Sequence, residues 1–332
     1  MMRAMGATGW SVVVLAAGQG TRMKSTLPKV LHEVCGRSLL DRVLDRALEL
    51  APAERTVVVV GHGADWVREA VRPRGVRTVV QQPQLGTGDA LRVGLTAESV
   101  ANDDGVIVLS GDVPLLRSES IRAVCDAVDD GATAALLTAK LDDAGPYGRV
   151  VRAADGGVDR IVEARDATGD ELMVSEVNAG VYAFRRDPLA RALGELTTDN
   201  AQREYYLTDL VSGLRAHGLS VEAVVLSDPL EMQGVNTRAD LARVAALVNR
   251  RTLDRLMADG VTVVDPSSVW VDDDCRVGHD TVLEPGVVLR RGTRIGEGAR
   301  VGAHAVLEGV EVACGETVPP LVHRASSTGP RG

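Results

Sequence analysis

From Ser11 to about Val261 the chain alternates short, branched apolar runs with amphipathic stretches. The runs are SVVVLAA (11–17), TVVVVG (56–61), RTVVQQ (77–82), GVIVLSGD (105–112), ATAALLTAKL (132–141) and AGVYAF (179–184). Between the first two, SLLDRVLDRALEL (38–50) places Leu39, Leu40, Val43, Leu44, Ala47 and Leu48 on one helical face. Runs of Val, Ile and Leu without polar alternation predict strands covered on both faces, hence a mostly parallel sheet. Strand–helix repetition then predicts a doubly wound, Rossmann-like α/β domain. Ligands of such sheets bind at the carboxyl ends of the strands. Two of those ends read Gly18-Gln19-Gly20 and Gly111-Asp112, which directs attention to phosphate chemistry.

After about Val263 the pattern changes. Val271, Val277, Leu283, Leu289, Ile295, Val301 and Leu307 stand six apart, and Val263, Val269, Cys275, Thr281, Val287, Thr293, Ala299 and Ala305 form a second such column. Glycines at 278, 286, 292, 296, 298 and 302 punctuate them. A six-residue period predicts a parallel β-helix with three short faces per coil, here roughly two to three coils. The run PPLVHRASSTGPRG has lost the period and reads as a disordered tail. The expected organisation is an N-terminal extension over 1–10, an α/β domain over 11–262, a short β-helix over 263–315 and a tail over 316–332.

Composition narrows the function classes. The 332 residues carry a net charge of −9, with three Trp, four Tyr and one Phe, so neither a basic footprint nor a set of base-stacking aromatics points to nucleic acid. Cys35, Cys125, Cys275 and Cys314 form no CxxC pair; this argues against a zinc ribbon or disulfide framework and fits a reducing compartment. No apolar run reaches the length of a membrane span. A soluble, cytoplasmic protein is expected, with no nucleic-acid or membrane partner.

The strongest local signal is LAAGQGTRMKSTLPK (15–29). A strand ending in a Gly-x-Gly loop lets backbone N–H groups approach an anion, and Arg22 and Lys29 bring two cations to it. The loop matches neither a Walker A motif nor GxGxxG. The histidines, among them His32, His62, His279 and His304, stand in no arrangement that marks a catalytic base.

The run L-A-A-G-x-G-T-R-M followed by P-K resembles the signature of sugar-1-phosphate nucleotidyltransferases. With QLGTGDA (84–90), LSGDVPL (109–115), YGRVV (147–151), IVEARDAT (161–168), EVNAGVYAF (176–184), NAQREYYLTDL (200–210), GVNTRADL (234–241) and the hexapeptide region, the chain resembles a bacterial family. That family is the bifunctional N-acetylglucosamine-1-phosphate uridyltransferase/glucosamine-1-phosphate acetyltransferases. The resemblance implies a nucleotidyltransferase domain, followed here by a truncated left-handed β-helix. It implies transfer of UMP from UTP to N-acetylglucosamine 1-phosphate, forming UDP-N-acetylglucosamine and pyrophosphate for cell-wall precursor synthesis.

The same resemblance assigns residues. Leu15, Ala17, Gly18, Gln81, Gly86 and Thr87 would bind the nucleotide, and Gly148, Glu163 and Asn178 the sugar. Arg22, Lys29 and Asp112 would be catalytic, and Asp112 with Asn236 would hold Mg²⁺. The sugar phosphate is already an anion and can attack phosphorus itself, so cations, amides and a metal are needed rather than a protein nucleophile. A homotrimer built through the β-helix is expected, and no acetyltransferase activity, because the family's acetyl site is built from later coils. Two positions depart from the family pattern. Asp89 replaces a usual His and could cap the following helix, and Ala179 replaces a usual Thr, which would remove a hydroxyl from the sugar pocket. The competing expectations are a nucleotidyltransferase for another hexose 1-phosphate and a non-catalytic nucleotide-sugar-binding subunit.

Overall fold

The computed structural model describes residues 9–97, 100 and 105–326. The chain forms two compact units, one taking residues up to His32 and Leu39–Asn236, the other Glu33–Ser38 and everything from Thr237. In chain order the elements begin with β1 (Trp10–Ala16), a hairpin of β2 (Glu33–Val34) and β3 (Arg37–Ser38) that belongs to the second unit, and α1 (Leu39–Leu48). They continue with β4 (Thr56–Val60), α2 (Ala64–Val71), β5 (Arg77–Val80), α3 (Thr87–Gly94), β6 (Gly105–Ser110), α4 (Ser118–Asp129) and β7 (Ala134–Lys140). Then come β8 (Arg149–Arg152), β9 (Val158–Val162), the one-turn α5 (Gly169–Leu172), β10 (Glu176–Arg185), α6 (Arg186–Glu195), α7 (Asp209–Ala216) and β11 (Val221–Val225).

Among the described residues the first unit is built on one sheet in the order β11-β7-β10-β6-β1-β4-β5, with β8 and β9 attached beside β10. β6, β1, β4 and β5 run parallel, as do β7 and β11, whereas β10 is antiparallel to both of its neighbours in that order. Each predicted run forms a strand. Side chains alternate between two apolar layers: Val12, Val14, Val58, Val60, Ile107 and Leu109 face one, and Val13, Val57, Val59, Val106 and Val108 the other. With both faces covered, the strand centres are filled by Val, Ile and Leu, and the polar residues among them are few, such as the buried Ser11, Thr56 and Thr138. β8, β9 and β11 were not expected; their short sequences, RVVR, VDRIV and VEAVV, mix charged with apolar residues, Arg152, Arg160 and Glu222 being exposed and Arg149 buried.

The second unit opens with α8 (Arg238–Ala258), started by a capping box in which Thr237 Oγ1 accepts from the Asp240 N–H and Asp240 Oδ2 from the Thr237 N–H. Among the described residues eleven short strands follow in three parallel sheets. The first holds β12 (Thr262–Val263), β15 (Val282–Leu283), β18 (Arg300–Val301) and β21 (Thr317–Val318). The second holds β13 (Trp270–Val271), β16 (Val288–Arg290), β19 (Val306–Glu308) and β22 (His323–Ala325), and the third β14 (Arg276–Val277), β17 (Arg294–Ile295) and β20 (Glu311–Val312). The six-spaced columns supply the core: Val271, Leu283, Leu289, Val301 and Leu307 are fully buried.

Three boundaries differ from the sequence expectation. The compact units divide after Asn236 rather than at 262, because Leu253 and Leu256 of α8 pack into the coil core and Asn249 bonds both the Val269 carbonyl and the Val271 N–H. The coils run beyond 305 and 315 to Ala325, where a tail was expected from 316, and they exceed two to three turns. The last coil is one residue shorter: Val288 pairs with Val306 eighteen positions on, but Val306 pairs with His323 after seventeen. That deletion moves Val312 and Val318 off the column of six while keeping them buried, which hides the coil from a periodicity count. Finally, β1 already begins at Trp10, inside the expected extension, while residues 1–8 and 327–332 lie outside the described residues. Among the described residues no helix is long and apolar enough to cross a membrane.

Candidate active site

The carboxyl ends of β1 and β6 carry the first cluster. β1 runs out into Gly18-Gln19-Gly20, and Gly20 takes a left-handed φ of +62° that turns the chain into the short Thr21–Met23 helix. A Cβ on Gly20 would lie 2.7 Å from Lys29 Cβ, so this glycine lets the lysine pack against the loop; one on Gly18 would meet nothing within 4 Å. Lys29 Nζ pairs with Asp112 Oδ2 and donates at 3.2 Å to Asn236 Oδ1, which also accepts from Arg22 Nη2 at 3.0 Å. Asp112 follows β6, and its carbonyl accepts the Val235 N–H at 2.9 Å, setting Asn236 beside it across more than a hundred residues of chain. Arg22, Lys29, Asp112 and Asn236 are thus brought to one place.

A second group lies at the end of β5. Gln81, 4% exposed, donates its N–H to the Val60 carbonyl and its Nε2 to the Gly86 carbonyl at 2.9 Å and to Asp89 Oδ2 at 2.8 Å. Asp89 lies in the first turn of α3 but does not cap it, contrary to expectation: Arg92 and Gln81 occupy its carboxylate. The Gly86 loop is held from outside by the Tyr205 N–H on the Leu85 carbonyl, the Gly88 N–H on the Tyr205 carbonyl and the Leu207 N–H on Thr87 Oγ1. A Cβ on Gly86 would meet the Tyr205 carbonyl at 2.6 Å. The carbonyls of Leu15 and Ala17 accept from Gly111 N–H and from His62 N–H and Gln84 Nε2, so they hold the β1 end rather than projecting outward.

A third group joins Gly148, Glu163 and Asn178. The Asn178 N–H donates to the Gly148 carbonyl at 2.9 Å, and a Cβ on Gly148 would stand 3.7 Å from both Glu163 carboxylate oxygens. Glu163 accepts from Thr208 Oγ1 at 3.1 Å, and its pKa is raised by burial, with Asp209 and Asp166 adding to the shift. Burial, with Asp166 and Glu163 nearby, pushes the Tyr206 hydroxyl up to about 12. Asn178 bonds the Tyr182 hydroxyl and the Gly180 N–H. Ala179 is corrected here: with Val177, Val181 and Ala183 it faces the buried layer on the other side of β10 from Asn178, Tyr182 and Phe184, so a hydroxyl at 179 would enter that core.

Residues 12–212 match the MobA-like NTP transferase domain, and residues 274–309 the bacterial transferase hexapeptide family, six repeats. Among curated relatives, "Bifunctional protein GlmU" of Thermobifida fusca is 47% identical over 327 residues, covering 96% of this chain and 67% of that protein. Its Streptomyces avermitilis counterpart is 45% identical over 323 residues, covering 96% and 67%. The chain belongs to the GlmU family. Its architecture is the nucleotidyltransferase α/β sheet followed by a short left-handed parallel β-helix. Solved structures agree on the fold of the sheet domain. A CMP:2-keto-3-deoxy-manno-octonic acid synthetase complexed with CTP overlays with TM-score 0.56 at 24% identity, covering 74% of this chain and 100% of that one. A putative glucose-1-phosphate thymidylyltransferase from Bacillus anthracis gives 0.55 at 18%, covering 72% and 94%.

Within this GlmU-family chain, sequence reasoning missed the residues that position the site. Thr208 holds Glu163, and the main chain of Tyr205 and Leu207 clamps the Gly86 loop. Glu231, 1% exposed, accepts from the Arg117 N–H and Ser120 Oγ at the start of α4, just beyond Asp112. The NAQREYYLTDL motif was the only signal for the clamp, and a lone carboxylate such as Glu231 carries none.

Proposed function

We propose that this chain transfers UMP from UTP to N-acetylglucosamine 1-phosphate, releasing pyrophosphate. The observation that carries the proposal is the convergence of Arg22, Lys29, Asp112 and Asn236 beside an open Gly18 loop; GlmU-family membership supplies the substrates. A phosphate oxygen of the sugar 1-phosphate forms a bond to the α-phosphorus of UTP while the bond to the bridging oxygen of pyrophosphate breaks in line. Both reactants are anions, so the protein's task is to hold them together and stabilise charge on the reacting phosphoryl group. Lys29 takes the reacting phosphates, and Arg22 the β and γ groups that leave. Gln81, Gly86 and Thr87 hold the base, with Leu15, Ala17 and Gly18 along the nucleotide, while Gly148, Glu163 and Asn178 hold the sugar.

The donor set suits Mg²⁺. The Asp112 carboxylate and the Asn236 amide oxygen both face one cationic centre, the Lys29 ammonium, and two hard oxygens leave further positions for phosphate and water. Bound there, Mg²⁺ would supply charge neutralisation at the reacting phosphates. The β-helix supports a homotrimer, checked by light scattering on the eluting protein.

Pyrophosphate release from UTP and Mg²⁺, with N-acetylglucosamine 1-phosphate, glucosamine 1-phosphate and glucose 1-phosphate in parallel, tests the main proposal. Preference for the first supports it. Preference for another sugar moves the substrate and keeps the chemistry, and folded protein silent with all three refutes it.

A further inference from the structure

Gln81 has a fixed polarity. A side-chain amide can face its surroundings with its oxygen or its nitrogen, and only the partners decide which. Both partners on the inner side of Gln81 are acceptors, the Gly86 carbonyl and the Asp89 carboxylate, so the nitrogen must face inward. Among the described residues nothing donates to Oε1, and although Gln81 is 4% exposed that oxygen is not a buried unpartnered atom, so it keeps some access and is left as an acceptor. Gln81 also sits at the carboxyl edge, one residue past β5 and bonded to the last residue of β4.

We infer that Asp89 is a specificity-determining positioning residue: by fixing the Gln81 amide it presents an acceptor that demands an N–H on the incoming base. The inference rests on the uridine nucleotide reading given above. The uracil ring has one N–H, at N3, whereas cytosine carries an acceptor there. A bare oxygen facing N3 bonds the first and meets the lone pair of the second, and buried polar groups left unpaired reject a mismatched ligand strongly. Gly86 contributes a weaker, neutral acceptor, so the Asp89 carboxylate is the larger part of the bias. Arg92, which bonds the other Asp89 oxygen at 2.7 Å and lies 4.7 Å over the Tyr205 ring, holds the carboxylate without touching Gln81's polarity.

The test uses the full chain with Mg²⁺ and titrates UTP, CTP and 3-methyluridine triphosphate, which has no N3–H, by calorimetry and by turnover. Wild type should prefer UTP over both others by at least about tenfold, and Asp89→Ala should narrow both ratios by about tenfold, through KM with kcat nearly unchanged. Arg92→Met alone should keep the ratios, and Asp89→Asn made together with Arg92→Met, which leaves the one amide oxygen to accept from Gln81 Nε2, should keep them as well. Retained ratios in Asp89→Ala, equal loss in Arg92→Met or in the Asp89→Asn, Arg92→Met double variant, or a wild type that takes 3-methyluridine triphosphate as well as UTP would each overturn the inference. If Asp89→Ala does not fold, as judged by its melt, the double variant and the methylated nucleotide still decide. A wild type with no preference for UTP over CTP overturns the uridine reading itself, before any variant is made.

Discussion

The two loop glycines make opposite predictions. Gly20 is left-handed at φ +62°, and a Cβ there would lie 2.7 Å from Lys29 Cβ. Alanine in that conformation costs about 1–2 kcal/mol, before any displacement of the lysine backbone. For a chain of this size that corresponds to a fall of roughly 2–8 °C in the melting temperature of the first unit. Lys29 must also move, and a shift near 1 Å in a positioned group costs roughly 100-fold in rate. Gly18→Ala differs: its φ is outside the left-handed region and its Cβ meets no atom within 4 Å, so stability should hold or rise by about 0.4–1 kcal/mol. On the proposed assignment of this loop to phosphate, the new methyl group would stand against the phosphates, and the apparent affinity for UTP should fall about tenfold, or 1.4 kcal/mol. Calorimetric melting of both variants, with UTP titration and pyrophosphate release, reads the two effects separately. Gly18→Ala that binds UTP like wild type, or melts as early as Gly20→Ala, would refute the assignment of this loop to phosphate.

Other outcomes follow from named contacts. Lys29→Met should lower kcat by about 10²–10³, and should lower the melting temperature of the nucleotide-free protein, because it strips the ion-pair partner from a mostly buried Asp112. Adding Asp112→Asn should recover part of that thermal loss but none of the activity, and strictly additive melting shifts would deny the pair. Glu163 has a folded pKa raised by burial, so the folded state holds a proton that the unfolded state has lost, and stability falls as pH climbs from the ordinary value of 4.5 through the raised one. Glu163→Gln should therefore raise the melting temperature at pH 7, with the gain shrinking below pH 4.5, while weakening sugar-phosphate binding. A gain independent of pH would contradict this. Asn249→Ala leaves the Val269 carbonyl and the Val271 N–H unpaired and should destabilise the second unit by about 2–4 kcal/mol, measured by denaturant titration.

Much of the molecule was legible along the chain because its signals are local. Unbroken Val runs follow from strands with two covered faces, and a period of six follows from a coil of three faces; each is a repeat that neighbouring residues carry among themselves. The Gly18 loop with Arg22 and Lys29 was visible for the same reason. Three-dimensional packing decided the rest. Asn236 meets Asp112 through the Val235 N–H and the shared Lys29, α8 meets the coils through Asn249, Thr252 and its apolar face, and the last coil hides behind one deleted residue. Ala179 illustrates the limit: adjacency to Asn178 suggested a shared pocket, but alternation along β10 sends the two side chains to opposite layers. The chemistry of Gln81 was likewise undecided in sequence, since a glutamine can offer either end of its amide. The partners that orient it come from one turn of α3 and one loop carbonyl, and only the fold brings both to the same side.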